Sequence, residues 1–170
     1  MRLFLAFLPD ENMVKALKIV QDRLKEKGMK GRYSQEWNLH LTAAFIGEYP
    51  DDEAVLEAIS EIESEPLTIR LEGYGCFGST VWAGVAKNEE LLECVRKIRR
   101  ALAAAGIPFD NKPFKPHFTL VRGAHFGEKL PGIMVPAPTM TIREVTLMRS
   151  DRGKSGMNYT AIGSIPFIAP

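Results

Sequence analysis

Apolar and polar positions alternate along this chain in a pattern that occurs twice. Leu3 to Leu8 form a continuous apolar run, which predicts a short buried strand. Asp10 stands where a helix N-cap belongs. Met13, Val14, Leu17, Val20 and Leu24 then recur at helical spacing, and Gly28 supplies the stop. After a polar stretch, NLHLTAAFIG at residues 38–47 reads as a second strand. The series restarts at Val81. VWAGVA predicts a strand, Asn88 a cap, and Leu91, Leu92, Val95, Ile98 and Leu102 a helical stripe that Gly106 and Pro108 end. A polar stretch again leads to a strand, HFTLV at residues 117–121. The spacings agree: Asp10 to Asn88 is 78 residues, Gly28 to Gly106 is 78, and His40 to His117 is 77.

Between and after the repeats, the pattern predicts a helix from Asp51 to Ile62 and strands at Leu67–Leu71, Met140–Met148 and Asn158–Ile165. The simplest architecture is α+β, with two similar lobes related by a pseudo-two-fold axis. Residues 1–170 then form a single domain of two intertwined lobes, with repeat units at approximately 1–47 and 81–123.

Composition narrows the function classes. A length of 170 residues, 45% apolar and 25% charged, is ordinary for a globular protein. The net charge of +1 excludes a global basic field, so any anionic ligand must be held by a local cluster. Two cysteines, Cys76 and Cys94, are too few for a disulfide framework or zinc site, and a reduced cytoplasmic protein is expected. The opening MRLFLAFLP has too short an apolar run for a secretory leader, and no segment approaches the length of a membrane span.

The chemistry lies in the repeat. Two of the three histidines occur as His-x-Thr, at His40–Thr42 and His117–Thr119. In a strand, residues i and i+2 share a face, so each histidine points with its threonine. A two-fold relation would bring both pairs to one central groove. Imidazole titrates near pH 6.5, so one ring can accept a proton while the other donates one. Threonine hydroxyls can hold the non-bridging oxygens of a phosphate in line. The motifs lack the acidic or thiol partners of a metal site, and no metal or other cofactor is expected. There is no G-x-S-x-G and no P-loop.

The paired motifs with their flanks, NLHLTAAFIG and PHFTLVRG, resemble the 2H phosphoesterase superfamily. The opening MRLFLAFLP, the segment CFGSTVWAGV and the stretch LMRSDRGKSGMNYTAIGSIPF are similar to its RNA 2′,3′-cyclic phosphodiesterase family, also called 2′-5′ RNA ligase. The resemblance implies a bilobal fold of mainly antiparallel sheet with outer helices around a central groove. It implies metal-independent hydrolysis of 2′,3′-cyclic phosphate ends of RNA, or of small cyclic nucleotides, to 2′-phosphomonoesters. His40 would be the proton donor, His117 the proton acceptor, and Thr42 and Thr119 the phosphate holders. Ligation of RNA ends at the same site, and nucleotide binding without turnover, are the alternatives. A monomer is expected.

Three further residues join the site as candidates for binding substrate or phosphate. Strict alternation places Arg122 opposite His117, but its position beside Gly123 lets a long side chain reach phosphate, the role the resemblance implies. Tyr33 and Tyr159 are the aromatic residues best suited to a groove, because each has a hydroxyl to keep wet. Trp37, Phe77 and Trp82 are also candidates for stacking on a base, though most are expected in the core, and His125 is expected on the surface.

Overall fold

The structure is a computed structural model and describes every residue from Met1 to Pro170. In chain order it contains β1 (Arg2–Phe7), α1 (Glu11–Glu26), β2 (Lys30–Tyr33), a short 3-10 turn (Glu36–Asn38), β3 (Leu41–Glu48) and α2 (Asp52–Ala58). Then follow β4 (Leu67–Phe77), β5 (Thr80–Val85), α3 (Glu89–Ala104), β6 (His117–His125), β7 (Thr139–Ile142), β8 (Glu144–Gly153) and β9 (Gly156–Pro166).

The two long helices begin as the caps predict. Asp10 accepts the Met13 N–H at 2.8 Å, and Asn88 accepts the Leu91 N–H at 3.0 Å. Each such cap stabilises its helix by about 1 kcal/mol. Both helices bury one apolar stripe, Met13, Leu17, Val20 and Leu24 in α1 and Leu91, Val95, Ile98 and Leu102 in α3.

The strands run in the order β7-β4-β5-β6-β3-β1-β8-β9, with β2 added to β6. This order is a palindrome of the repeat: β5 and β6 on one side of the centre match β1 and β3 on the other. At the centre, β3 and β6 meet antiparallel at one aligned pair, Leu41 opposite Phe118. Both side chains are fully buried. The halves also interlock. α1 packs on β6 and α3 on β3, so each helix covers the other half's histidine strand. One apolar cluster of 36 buried residues draws on both halves.

Four elements differ from the sequence pattern. The helix expected to reach Ile62 ends at Ala58, although Ile59 and Ile62 are buried. The Met140–Met148 strand is two strands broken at Arg143. β7 pairs with β4 in one half, whereas β8 pairs with β1 and β9 in the other. An apolar run shows that a segment is buried but not which edge it joins. β4 extends to Phe77, well past Leu71. β2 is mostly exposed and has no apolar pattern to reveal it.

Candidate active site

The junction of β3 and β6 sets the site. Leu41 and Phe118 each lie between the histidine and threonine of their motif. Pairing them places His40, Thr42, His117 and Thr119 around one crossing, on the face opposite the core. All four are half-buried.

Each imidazole is fixed by the same device. His40 Nδ1 lies 2.7 Å from the Asn38 carbonyl, and His117 Nδ1 lies 2.6 Å from the Lys115 carbonyl, both two residues earlier. A carbonyl only accepts, so Nδ1 carries the hydrogen and donates it. Both Nε2 atoms are left for substrate, each a base when neutral and an acid when protonated. Asn38 does more on its side. Its side-chain amide donates to the Met157 carbonyl at 2.8 Å and accepts from the Tyr159 N–H at 3.3 Å, which ties the turn before His40 to β9.

Aromatic rings wall both imidazoles. Phe4 and Tyr159 stand 4.8 and 5.1 Å from His40, the tyrosine edge-on. Phe77 and Trp82 stand 5.2 and 6.2 Å from His117. Phe4 and Trp82 are 78 residues apart and so occupy equivalent places in the repeat. The Trp82 ring lies across Gly75, where a Cβ would come within 2.6 Å of it, so only glycine fits there.

Burial pushes the His40 imidazole down to about 4. The Asn38 hydrogen bond opposes this, while the positive charges of Arg122 and of a protonated His117 add to it. His117 is lowered for the same leading reason, opposed by its bond to Lys115 and reinforced by Arg122. His117 acts on His40 without a matching return effect, because His40 is already neutral where His117 titrates. The two rings are therefore within electrostatic reach, and both are neutral in the free site at pH 7.

Arg122 reaches this face through a β-bulge. On β5, Val81 and Trp82 are consecutive. Their partners on β6 are Val121 and Thr119, so Leu120 is an extra residue. Leu120 and Val121 both turn into the core, and the alternation resumes one step late with Arg122 on the side of His117 and Thr119. The Leu120 carbonyl is taken by the Ser34 N–H at 2.8 Å and by buried Gln21 Nε2 at 3.0 Å. The same bulge occurs in β3, where Ala43 is the extra residue between the partners of Leu5 and Ala6. It brings Phe45, the repeat equivalent of Arg122, to the same face.

Three cavities flank the crossing. One of about 570 Å³ is bordered by His40, Thr42, Phe45, Arg122 and Tyr159. A second, of about 480 Å³, continues from it through Arg122, Met157 and Tyr159 to Tyr33 and Trp37. A third, of about 390 Å³, is an apolar slot on the other side, formed by Phe77, Trp82, Phe114, Pro116 and His117. The expected central groove is thus a row of cavities, with one imidazole at each side of the junction and no single cavity containing both. No three His, Cys, Asp or Glu side chains are grouped as metal ligands.

Tyr159 stands against His40, as a groove residue should. Tyr33 lines only the outer cavity, and its hydroxyl donates to the Met29 carbonyl at 2.7 Å, so that oxygen is engaged away from the histidines. Trp37 and Phe77 depart from the core expectation, with 66% and 44% of their surface exposed. His125 is exposed at the end of β6. Asn38 and Gln21 escaped the sequence reading. Gln21 had a signal, since it interrupts the Leu17-to-Leu24 stripe at a core position. Asn38 had a weaker one, its place two residues before a motif histidine.

An antiparallel sheet with a His-x-Thr strand from each half at its centre is the arrangement of the 2H phosphoesterases. Over residues 4–154 the chain matches the 2′-5′ RNA ligase superfamily, and it belongs to that superfamily. It is 31% identical to an RNA 2′,3′-cyclic phosphodiesterase of Thermus thermophilus, over 95% of this chain and 88% of the relative. It is 32% identical to a protein of the same name from Methanocaldococcus jannaschii, over 72% and 71%. The crystal structure of Escherichia coli LigT in apo form superposes with a TM-score of 0.82 at 26% identity, covering 98% of this chain and 96% of that one. No helix is long and apolar enough to cross a membrane.

Proposed function

We propose that the protein is a metal-independent RNA 2′,3′-cyclic phosphodiesterase. The observation that carries this reading is the Leu41–Phe118 pair, which sets two Nδ1-anchored imidazoles and two threonines around one crossing. The relatives' names point to the same reaction.

His117 Nε2 takes a proton from water as its oxygen attacks phosphorus. The bond from phosphorus to O3′ breaks, and O3′ takes a proton from His40 Nε2. The product is a 2′-phosphomonoester with a free 3′-hydroxyl, and solvent exchange resets both rings. Thr42, Thr119 and Arg122 hold the non-bridging oxygens, and Arg122 offsets the charge that builds on them. Tyr159 borders the terminal nucleoside, and Tyr33 lies further out along the groove. One chain supplies both motifs, so a monomer suffices and its two lobes work as one unit.

The division of roles follows the family resemblance. Burial alone ranks the rings the other way, because His40 is the harder to protonate. The phosphodiester anion resolves this. It binds beside His40, Thr42 and Arg122, and its negative charge raises the His40 pKa in the complex.

The test is turnover of a nucleoside 2′,3′-cyclic phosphate in EDTA with analysis of the product. A 2′-phosphate is expected. No turnover, or turnover that survives both His40→Ala and His117→Ala, sinks the proposal. The apolar slot beside His117 favours one companion reading: it seats the nucleoside of a 5′-hydroxyl end that replaces water, which is ligation. Joined 2′-5′ product from cyclic and 5′-hydroxyl ends would show it.

A further inference from the structure

The outer cavity differs from its neighbours in charge. Arg32, Arg122 and Lys154 line it with no acidic side chain among its walls. The cavity at His40 also holds cations, but it includes Glu48 and Asp151. In the slot at His117, Lys87 faces Glu89 at 3.7 Å. The slot also carries Lys115, which lies over the Phe77 ring, but only the outer cavity of the three gathers three cations with no acidic side chain among its walls. Two of its cations are also set against each other, since Arg32 on β2 lies directly opposite Arg122 on β6. Like charges in that position repel, and an anion between them relieves the repulsion. Gly123 leaves room for the arrangement, because a Cβ there would come 3.1 Å from the Arg32 guanidinium. Beside these cations stands Trp37, 66% exposed, a large flat ring left in water.

In-line displacement says what meets this cavity. The leaving O3′ belongs to the terminal ribose and receives its proton from His40, so that ribose lies on the His40 side. The rest of the polynucleotide leaves from its 5′ carbon. The outer cavity continues from that side through Arg122 and Tyr159.

We propose that the outer cavity is a subsite for the nucleotide upstream of the cyclic end. Arg32, Lys154 and the outer edge of Arg122 hold the linking phosphodiester, and Trp37 stacks on the upstream base. The favoured substrate is then an oligoribonucleotide end, ahead of a free nucleoside cyclic phosphate. This inference rests on the cyclic phosphodiesterase reading and on His40 as the acid.

The experiment compares kcat/KM for a trinucleotide ending in a 2′,3′-cyclic phosphate with that for the nucleoside 2′,3′-cyclic phosphate. The trinucleotide is expected to be favoured by roughly tenfold or more, mostly through KM. Arg32→Ala, Trp37→Ala and Lys154→Ala should each shrink that ratio. The two charge variants should also flatten the salt dependence for the trinucleotide by roughly one unit of slope at most. A ratio near one in the unaltered protein, or a ratio the three variants leave unchanged, overturns the inference. A binding arm separates it from the catalytic reading. A trinucleotide carrying a 2′-phosphate should quench tryptophan fluorescence, and Trp37→Ala should abolish the quench. If neither substrate is hydrolysed, the catalytic reading fails; quenching that requires Arg32 then still supports the subsite, and no quenching overturns it.

Discussion

The halves of this protein share a scaffold and differ at the residues that border the crossing of β3 and β6. Strand, capped helix, bulged strand and carbonyl-anchored imidazole recur in both. Yet Arg122 in one half stands where the other has Phe45, whose ring carries the Arg2 guanidinium at 5.2 Å. His40 sits against a polar cavity, and His117 against a mainly apolar slot. Asn38 clamps its imidazole through a side chain tied to β9, whereas Lys115 offers only its carbonyl and is held extended by Pro116. Duplication supplies the position of the two groups. In the proposed reaction these differences give a direction, with Arg122 and a polar path on one side and a mainly apolar slot on the other.

The largest effects should come from the histidines. His40→Ala and His117→Ala are each expected to lower kcat about 10²- to 10⁴-fold, the usual contribution of a positioned acid or base. A base must be neutral, so its rate limb rises with pH; an acid must be protonated, so its limb falls. His117→Ala should therefore lose the rising limb and His40→Ala the falling one. Loss of the opposite limbs in pH–rate profiles would exchange the roles and leave the shared scaffold intact.

The unequal burial of the rings has its own signature in stability. The folded pKa of His40, about 4, lies below the ordinary value near 6.5. Above pH 6.5 the ring is neutral folded and unfolded, and its contribution is at its full value. Between pH 6.5 and 4 the unfolded chain binds the proton and the folded chain does not, so stability falls as pH falls. The loss below pH 4 is about 3 kcal/mol at most, since the ring keeps an edge in water. Urea unfolding across this range should show the slope, and His40→Gln should flatten it more than His117→Gln.

Much of this was legible in the chain. Helix stripes, both caps and the duplicated motifs are local signals, and they place β1, α1, β3, β5, α3 and β6 as observed. The motif residues followed from two-residue alternation. What alternation could not give was Arg122, because the extra residue at Leu120 exists only relative to the partner strand. The break at Arg143 was hidden for the same reason: its flanks are both apolar, and only pairing shows that they join different halves. Trp37 and Phe77 went against the expectation because apolarity predicts burial, and these rings stand at cavities instead.

Arg122 is the next largest test of the asymmetry. Charge-assisted hydrogen bonds to phosphate contribute about 1.5–3 kcal/mol, so Arg122→Ala should lower kcat/KM roughly tenfold to hundredfold. Phe45→Ala, at the equivalent place, should change it less than about twofold by the same reasoning that a site without a charge holds no anion. The arginine's charge also lowers both imidazoles. Its removal should raise both pKa values in an NMR titration. An unmoved His40 would show that Arg122 points away from the junction.

The smallest expected effect concerns the clamp on one side only. Asn38→Ala removes two hydrogen bonds to β9 but keeps the carbonyl that holds His40 Nδ1. Each bond contributes about 1 kcal/mol, so thermal unfolding should come a few degrees earlier. The rate should fall as well, because a looser turn lets the His40 ring drift while Tyr159 loses its tether. The Lys115 side has no such clamp, and Lys115→Ala should leave both stability and the pKa of His117 nearly as they are, its carbonyl being unchanged. If Asn38→Ala lowers stability without lowering kcat, the clamp serves the fold and Pro116-like rigidity is not needed at His40. If kcat falls more than stability accounts for, the two halves hold equivalent imidazoles by unequal means.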